Sequence, residues 1–266
     1  MATGEALERF DVFFASNAGA NEEDGNMSYD WMAALVFVGA LMSLSAVGRF
    51  LVFKISALQR MRELNREADR QKMSRKRFRE AVKVNNRAAL ITNLIFFVAL
   101  LPFCVNLEPR PIWRHLLDIV AVLMVFDFFY YTTHRFLFHG KPLRRIHSLH
   151  HQARHPTYVD ALYVHPLETI IGLVLFLGSI PLIAALSGGP LNALSMAVAM
   201  LVFTNANQLN HTYVNLPYFP FKTLDHITSI HAAHHVDMGC GNYATLTMLY
   251  DRLFGTLEEP VSRAAP

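Results

Sequence analysis

Thirteen histidines occur in the 266 residues, and none precedes His115. Most fall in ordered groups: His134-Arg-Phe-Leu-Phe-His139, His147-Ser-Leu-His150-His151 and His231-Ala-Ala-His234-His235, with His211 standing between the last two. On a helix, positions i, i+3 and i+4 share a face, so each HxxHH is expected to aim its imidazoles at a common point. A lone histidine is most often structural, and a single HxxHH is weak evidence. Two HxxHH groups together with an HxxxxH point to metal. Imidazole suits iron, zinc, copper and nickel. Eight or nine histidines exceed the four ligands of a structural zinc site, which implies two ions.

The missing motifs narrow the chemistry. Cys104 and Cys240 are far apart and form no CxxC pair, against a disulfide framework, a zinc ribbon or a thiolate-bound cluster. There is no HExxH for a zinc protease. No E-x-x-H occurs either, unlike the carboxylate-rich di-iron bundles. Phosphate-cradling glycine loops and a G-x-S-x-G nucleophile turn are also missing.

These side chains must be positioned by apolar elements, since 53% of the chain is hydrophobic and only 17% charged. Five stretches are long enough to be candidate membrane spans: 31–53, 88–107, 116–133, 168–186 and 191–209. The last two are joined by Ser187-Gly188-Gly189-Pro190 and are either a spanning hairpin or a half-deep re-entrant pair. Residues 54–87 carry twelve Lys or Arg against Glu63, Glu67, Asp69 and Glu80. They read as a helical extension of the first span, a turn near Asp69 to Ser74, and a second helix. Beside two spans, such a run is a positive-inside anchor on anionic lipid rather than a nucleic-acid site. A cytoplasmic 54–87 places the acidic residues 1–30 outside, with no removable signal peptide. Every histidine except His115 then falls at or inside the cytoplasmic face, and Trp31 and Trp113 fall near the outer interface.

The run from Asp127 through His139, the HSLHH at 147–151, the YVHPLE at 163–168, the IHAAHH at 230–235 and the closing Asn242-Tyr243 … Tyr250-Asp251-Arg252-Leu253-Phe254-Gly255-Thr256 together resemble the fatty acid hydroxylase / sterol desaturase superfamily. The resemblance covers residues 115–256. It implies a non-haem di-iron centre that activates O₂ and attacks an unactivated C–H bond of a lipid, giving hydroxylation or desaturation. Carried over by position, the metal ligands are His134, His139, His147, His150, His151, His211, His231, His234 and His235. Asn215 stands where some members have a further histidine and is expected to bind directly or through water. Tyr250 stands where the signature usually has Trp, a packing change.

Asp127 lies inside an apolar span, seven residues before His134, and is expected to accept a hydrogen bond from a ligand imidazole. His165 before Pro166 fits the N-cap of the fourth span, with a metal role also open; His155 and His226 are weaker candidates. The expected architecture is an all-α integral membrane bundle of four to five transmembrane helices under a cytoplasmic helical cap that holds two iron ions. Zinc is an alternative occupant in isolated protein. The segments are an acidic head (1–30), a transmembrane hairpin with the basic loop (31–114), the catalytic domain (115–256) and a tail (257–266). O₂ is the co-substrate, a membrane lipid the substrate, and electrons come from an external donor of ferredoxin or cytochrome type. The expected location is a bacterial inner membrane rather than the endoplasmic reticulum. Two other readings stay open. A histidine-rich metal transporter would need ligands deep within its spans, and a non-catalytic relative would not consume O₂.

Overall fold

The computed structural model describes residues 29–260. Most of the expected acidic head, and residues 261–266 of the tail, lie outside the described residues. Helix α1 (Trp31–Lys54) starts where the Asp30 carboxylate accepts the Ala33 N–H at 2.8 Å. It ends at extended Ile55, and α2 (Ser56–Ser74) begins a separate helix. α3 (Lys76–Ala99) follows a single extended residue, Arg75, so the turn falls just beyond the expected 69–74. Then come α4 (Leu101–Cys104), β1 (Val105–Asn106), α5 (Ile112–Thr133), a π-helical turn (His134–Phe138) and α6 (Arg144–His147). Short 3₁₀ turns (His150–Gln152, Tyr158–Leu162) lead to α7 (Pro166–Leu186), β2 (Leu191–Asn192), α8 (Ala193–His211), α9 (Phe221–Val236) and α10 (Leu249–Leu253). The chain is mainly helical, with one departure from the all-α expectation: β1 and β2 form a two-residue parallel bridge, Val105 opposite Leu191 and Asn106 opposite Asn192.

Among the described residues three helices are long and apolar enough to cross a membrane: Trp31–Lys54, Ile112–Phe138 and Pro166–Leu186. Four to five were expected, and the two shortfalls have physical causes. α3 is basic up to Arg87, so its apolar part spans only residues 88–99 before Leu100 and Pro102 break it. Twelve residues reach about 18 Å, short of the ~30 Å hydrocarbon core. α8 is apolar as far as Phe203 but then carries Thr204, Asn205, Asn207, Gln208, Asn210 and His211. α3 packs along α7, α1 along α8, and α5 against both α7 and α8. Leu90, Ile91, Leu94, Ile95 and Val98 of α3 are exposed, as are Leu35, Met42, Phe50 and Phe53 of α1. Apolar exposure on this scale is what a lipid-facing surface requires.

Inside the bundle, the Phe176 and Phe203 rings stack at 4.2 Å, and Phe126 meets Phe203 edge-on at 4.9 Å. The basic helix α2 holds the segments that follow the HSLHH group and His211. Asn65 makes two bonds with the Tyr213 backbone, donating to its carbonyl at 2.8 Å and accepting its N–H at 2.9 Å. Lys72 pairs with buried Asp160, which closes a capping box with Thr157. At the start of α3, Phe78 stacks on Tyr163 at 4.3 Å.

Candidate metal centre

All nine expected ligand histidines are buried, and their side chains converge into two groups. His134, His139, His147, His151 and His234 form one, and His150, His211, His231 and His235 form the other. Within the first, the Nε2 atom of His134 lies 3.0 Å from that of His147 and 3.1 Å from that of His234, and His139 and His234 are 3.1 Å apart. In the second, the Nε2 of His211 lies 3.1 Å from His150 and 3.2 Å from both His231 and His235. Each HxxHH was expected to serve one point. Instead each is divided: the i and i+4 members share a group and the i+3 member joins the other. In α9 successive positions turn by 100°, so i and i+4 differ by about 40°, whereas i+3 swings to the other side; His147–His151, crossing from α6 into a 3₁₀ turn, divides in the same way.

The HxxxxH pair needs a different local solution. Five residues of α-helix would turn His139 about 140° away from His134. The chain widens into a π-turn, with the His139 N–H donating to the His134 carbonyl at 2.9 Å, so both rings face the same group. Gly140 follows directly, where an added Cβ would sit 1.9 Å from the Phe136 carbonyl oxygen. Only glycine lets the chain leave the turn there.

The far side of most rings is held. Nδ1 of His134, His139, His234 and His211 faces the carbonyls of Tyr243, Met238, Gly241 and Asn207 at 2.7–2.8 Å. Nδ1 of His147 faces the buried Glu168 carboxylate at 2.9 Å. An Nδ1 facing an acceptor must carry the proton, which leaves the Nε2 lone pair pointing inward. Lone pairs crowded at 3.0–3.3 Å repel one another unless a cation lies between them. His151, His231 and His235 keep buried Nδ1 atoms with no hydrogen-bond partner among the described residues. Such an orphan costs about 1–3 kcal/mol, tolerable where the opposite nitrogen binds metal. The residues present fit two metal ions.

Burial, more than neighbouring charge, keeps these rings neutral. It lowers the His139 pKa to about 4 and those of His147 and His150 to about 3. His151, His231, His234 and His235 are also pushed well below the ordinary value by burial first and by neighbouring histidines second. Since folded-state pKa values lie below the unfolded value of about 6.5, the folded form binds fewer protons. Stability is therefore complete above pH 6.5 and is lost as pH falls through about 4 and then 3. Metal-free protein in detergent is expected to show a melting temperature level between pH 7 and 8 and falling steeply from pH 6.5 to 4. A flat profile across that range would show that the rings titrate normally.

The other expected site residues lie elsewhere. Asp127 touches no imidazole. Its carboxylate accepts the backbone N–H groups of Thr245, Leu246 and Thr247 at 3.1, 2.9 and 3.2 Å and the Thr247 hydroxyl at 2.8 Å. Asn215 is exposed at φ 36°, its backbone N–H donating to the Asp225 carboxylate at 2.8 Å. His165 is the N-cap of α7, its Nδ1 accepting the Leu167 N–H at 3.2 Å. His226 is exposed, and His115 pairs with Ser195 at the other end of α8. Tyr250 packs near Phe128 and donates to the Met124 carbonyl at 2.9 Å.

Sequence reasoning missed Glu168, which was read only as part of a motif at a span boundary. An acidic residue opening an apolar helix three residues after a histidine was the available signal. Replacing Glu168 with Ala is expected to weaken metal binding 10–100-fold, the usual cost of losing a partner behind a ligand imidazole. Glu168→Gln, whose amide oxygen still accepts, should lose less. Chelator competition on the purified variants measures both, and equal metal affinity for all three proteins would refute the role.

The sequence model of the fatty acid hydroxylase family matches residues 119–256, which contain all nine of these histidines and the Asp251–Thr256 signature. The chain belongs to the fatty acid hydroxylase family. It is 29% identical over 171 residues to methylsterol monooxygenase 1 of Rattus norvegicus, covering 63% of this chain and 56% of that one. It is 31% identical over 159 residues to protein CER1-like 2 of Arabidopsis thaliana (56% of this chain, 25% of that one) and 26% identical over 181 residues to very-long-chain aldehyde decarbonylase GL1-4 of Oryza sativa subsp. indica (64% and 28%). The matches thus span between a quarter and just over half the length of these relatives. No solved structure matches the chain. These relatives are all eukaryotic, so the expected preference for a bacterial inner membrane gains no support from them. Three apolar helices make this member of the family a membrane protein.

Proposed function

We propose that the chain is a membrane-bound non-haem di-iron oxygenase that hydroxylates or desaturates a C–H bond of a lipid. The observation carrying this reading is the convergence of nine buried Nε2 atoms into a group of five and a group of four, with both HxxHH motifs divided between them. Shared motifs couple the two centres, as a reaction that uses both ions together requires. The names of the relatives, a methylsterol monooxygenase and an aldehyde decarbonylase, support oxidative lipid chemistry.

Bound iron would supply the activation of O₂ and the oxidation of the C–H bond. His134, His139, His147, His151 and His234 would hold one ion, and His150, His211, His231 and His235 the other. The carbonyls of Tyr243, Met238, Gly241 and Asn207 and the Glu168 carboxylate fix the tautomer of five rings, so that each is set before metal arrives. Phe126, Phe176 and Phe203 keep water from the approach on the membrane side. Electrons come from an external donor of ferredoxin or cytochrome type. The twelve Lys or Arg of residues 54–87 support a cytoplasmic face for the centre and an outer N-terminus.

The purified protein is expected to hold two first-row metal ions per chain and to consume O₂ with iron, a reductant and a lipid extract. Elemental analysis showing one ion or none in an active preparation would overturn the di-iron reading. Zinc in both groups would not, because imidazole cages accept it. Comparing lipids of a host with and without expression identifies the product.

A further inference from the structure

A cavity of ≈ 200 Å³ runs between α3, α5, α7 and α8 and reaches His150 of the four-histidine group. Phe126, Leu173, Met200 and Phe203 give it apolar walls suited to a lipid. Helix α3, however, lines it with Asn86, Ala89 and Asn93, spaced i, i+3 and i+7 on one face. Asn93 lies about 10 Å deeper along the helix than Asn86, inside the run Leu90–Ile95, where an amide is costly to place. Its neighbour Asn85 shows how such an amide is normally satisfied, donating to the Leu162 carbonyl at 3.1 Å and accepting from the Thr169 hydroxyl. Asn93 has no such arrangement. Its Oδ1 is buried with no donor among the described residues. The same holds for Glu168 Oε2 on the same cavity, while Oε1 faces His147. An unmatched amide oxygen beside an unmatched carboxyl oxygen in one largely apolar cavity calls for a ligand that brings a donor.

We infer that the cavity takes a lipid carrying a hydroxyl group, whose O–H donates to Asn93 Oδ1, and that Asn93 selects for it. This rests on reading the cavity as the substrate site of the proposed oxygenase. A hydroxyl brings one uncharged donor into a space that is otherwise largely apolar. A free fatty acid carboxylate would bring acceptors to acceptors and is disfavoured there. An alkane leaves both oxygens unmatched.

The test is equilibrium binding to the purified protein in neutral detergent under nitrogen, using radiolabelled octadecan-1-ol and cholesterol. Octadecane, stearate and cholest-5-ene serve as competitors. At least one alcohol is expected to bind about tenfold more tightly than its deoxy counterpart, the worth of one hydrogen bond. The arm that shows the preference tells a chain from a ring skeleton. Asn93→Leu should lower that alcohol's affinity about tenfold and leave the deoxy lipid unchanged. Equal affinity of alcohol and deoxy lipid in the unsubstituted protein overturns the inference, as does failure of both alcohols to bind, or a preference that survives Asn93→Leu. Binding is read without turnover. A protein that prefers the alcohol yet never oxidises lipid would refute the oxygenase and leave the hydroxyl selectivity standing.

Discussion

Replacing His234 or His150 with Ala is expected to abolish turnover in both cases while removing different ions. His234 belongs to the five-histidine group and His150 to the four-histidine group. Each loss opens a coordination position that water alone must fill. Residues merely behind a ligand are worth 10–100-fold, so removing a ligand should cost more than about a hundredfold in activity. Each variant should retain the ion of the untouched group, giving one metal per chain where the unsubstituted protein has two. His115→Ala is the control. Its ring faces Ser195 Oγ at 2.6 Å, at the start of α8, whereas His211 enters the site from the other end of that helix. Nineteen residues of helix separate those ends by about 28 Å. Elemental analysis and O₂ uptake on the three folded variants decide the matter. Full metal in His234→Ala or His150→Ala, or metal loss in His115→Ala, would dismantle the two-group assignment.

Asp127→Ala is expected to be as damaging, but through the fold. The Asp127 carboxylate accepts four hydrogen bonds from residues 245–247, three of them backbone N–H groups. Asp251 grips the adjoining backbone from the other side, accepting the N–H groups of Tyr243 and Ala244, both at 2.8 Å. Between them the two carboxylates hold the segment whose Tyr243 carbonyl faces His134. Without Asp127, buried N–H groups are left unmatched, and a loss on the order of 3–5 kcal/mol is expected. The variant should melt well below the parent, and its metal should dissociate faster from the five-histidine group. Asp127→Asn keeps one acceptor oxygen and should fall between the two. Had Asp127 served a ligand imidazole directly, the Asn variant would shift metal affinity without a stability change, and that result would reject the anchoring role.

The Asp127 error shows the limit of periodicity. Seven residues before His134 is two helical turns, so the sequence places Asp127 on the histidine face. It cannot show that a segment more than a hundred residues later would fold back and take that carboxylate with its backbone. Asn215 was expected from the resemblance alone, as the position of a further histidine in some members; here α8 ends at His211 and Asn215 is exposed at φ 36°. The expected spans at α3 and α8 are the ones whose polar residues are segregated at one end, which leaves a shorter apolar run in each helix.

What the sequence determined by itself was the inventory: which imidazoles stand in ordered groups, that they exceed one ion's needs, and that apolar helices carry them. Composition and spacing suffice there because ligand type and helix formation are local properties. Only the tertiary structure decided the partition. The i and i+4 members of each HxxHH go to one group and the i+3 member to the other, and a π-turn brings His139 round to His134. It alone also supplied Glu168 and the four backbone carbonyls behind the rings. Carbonyls have no signature in a sequence, since every residue has one. Which of them faces an imidazole depends on how distant segments pack.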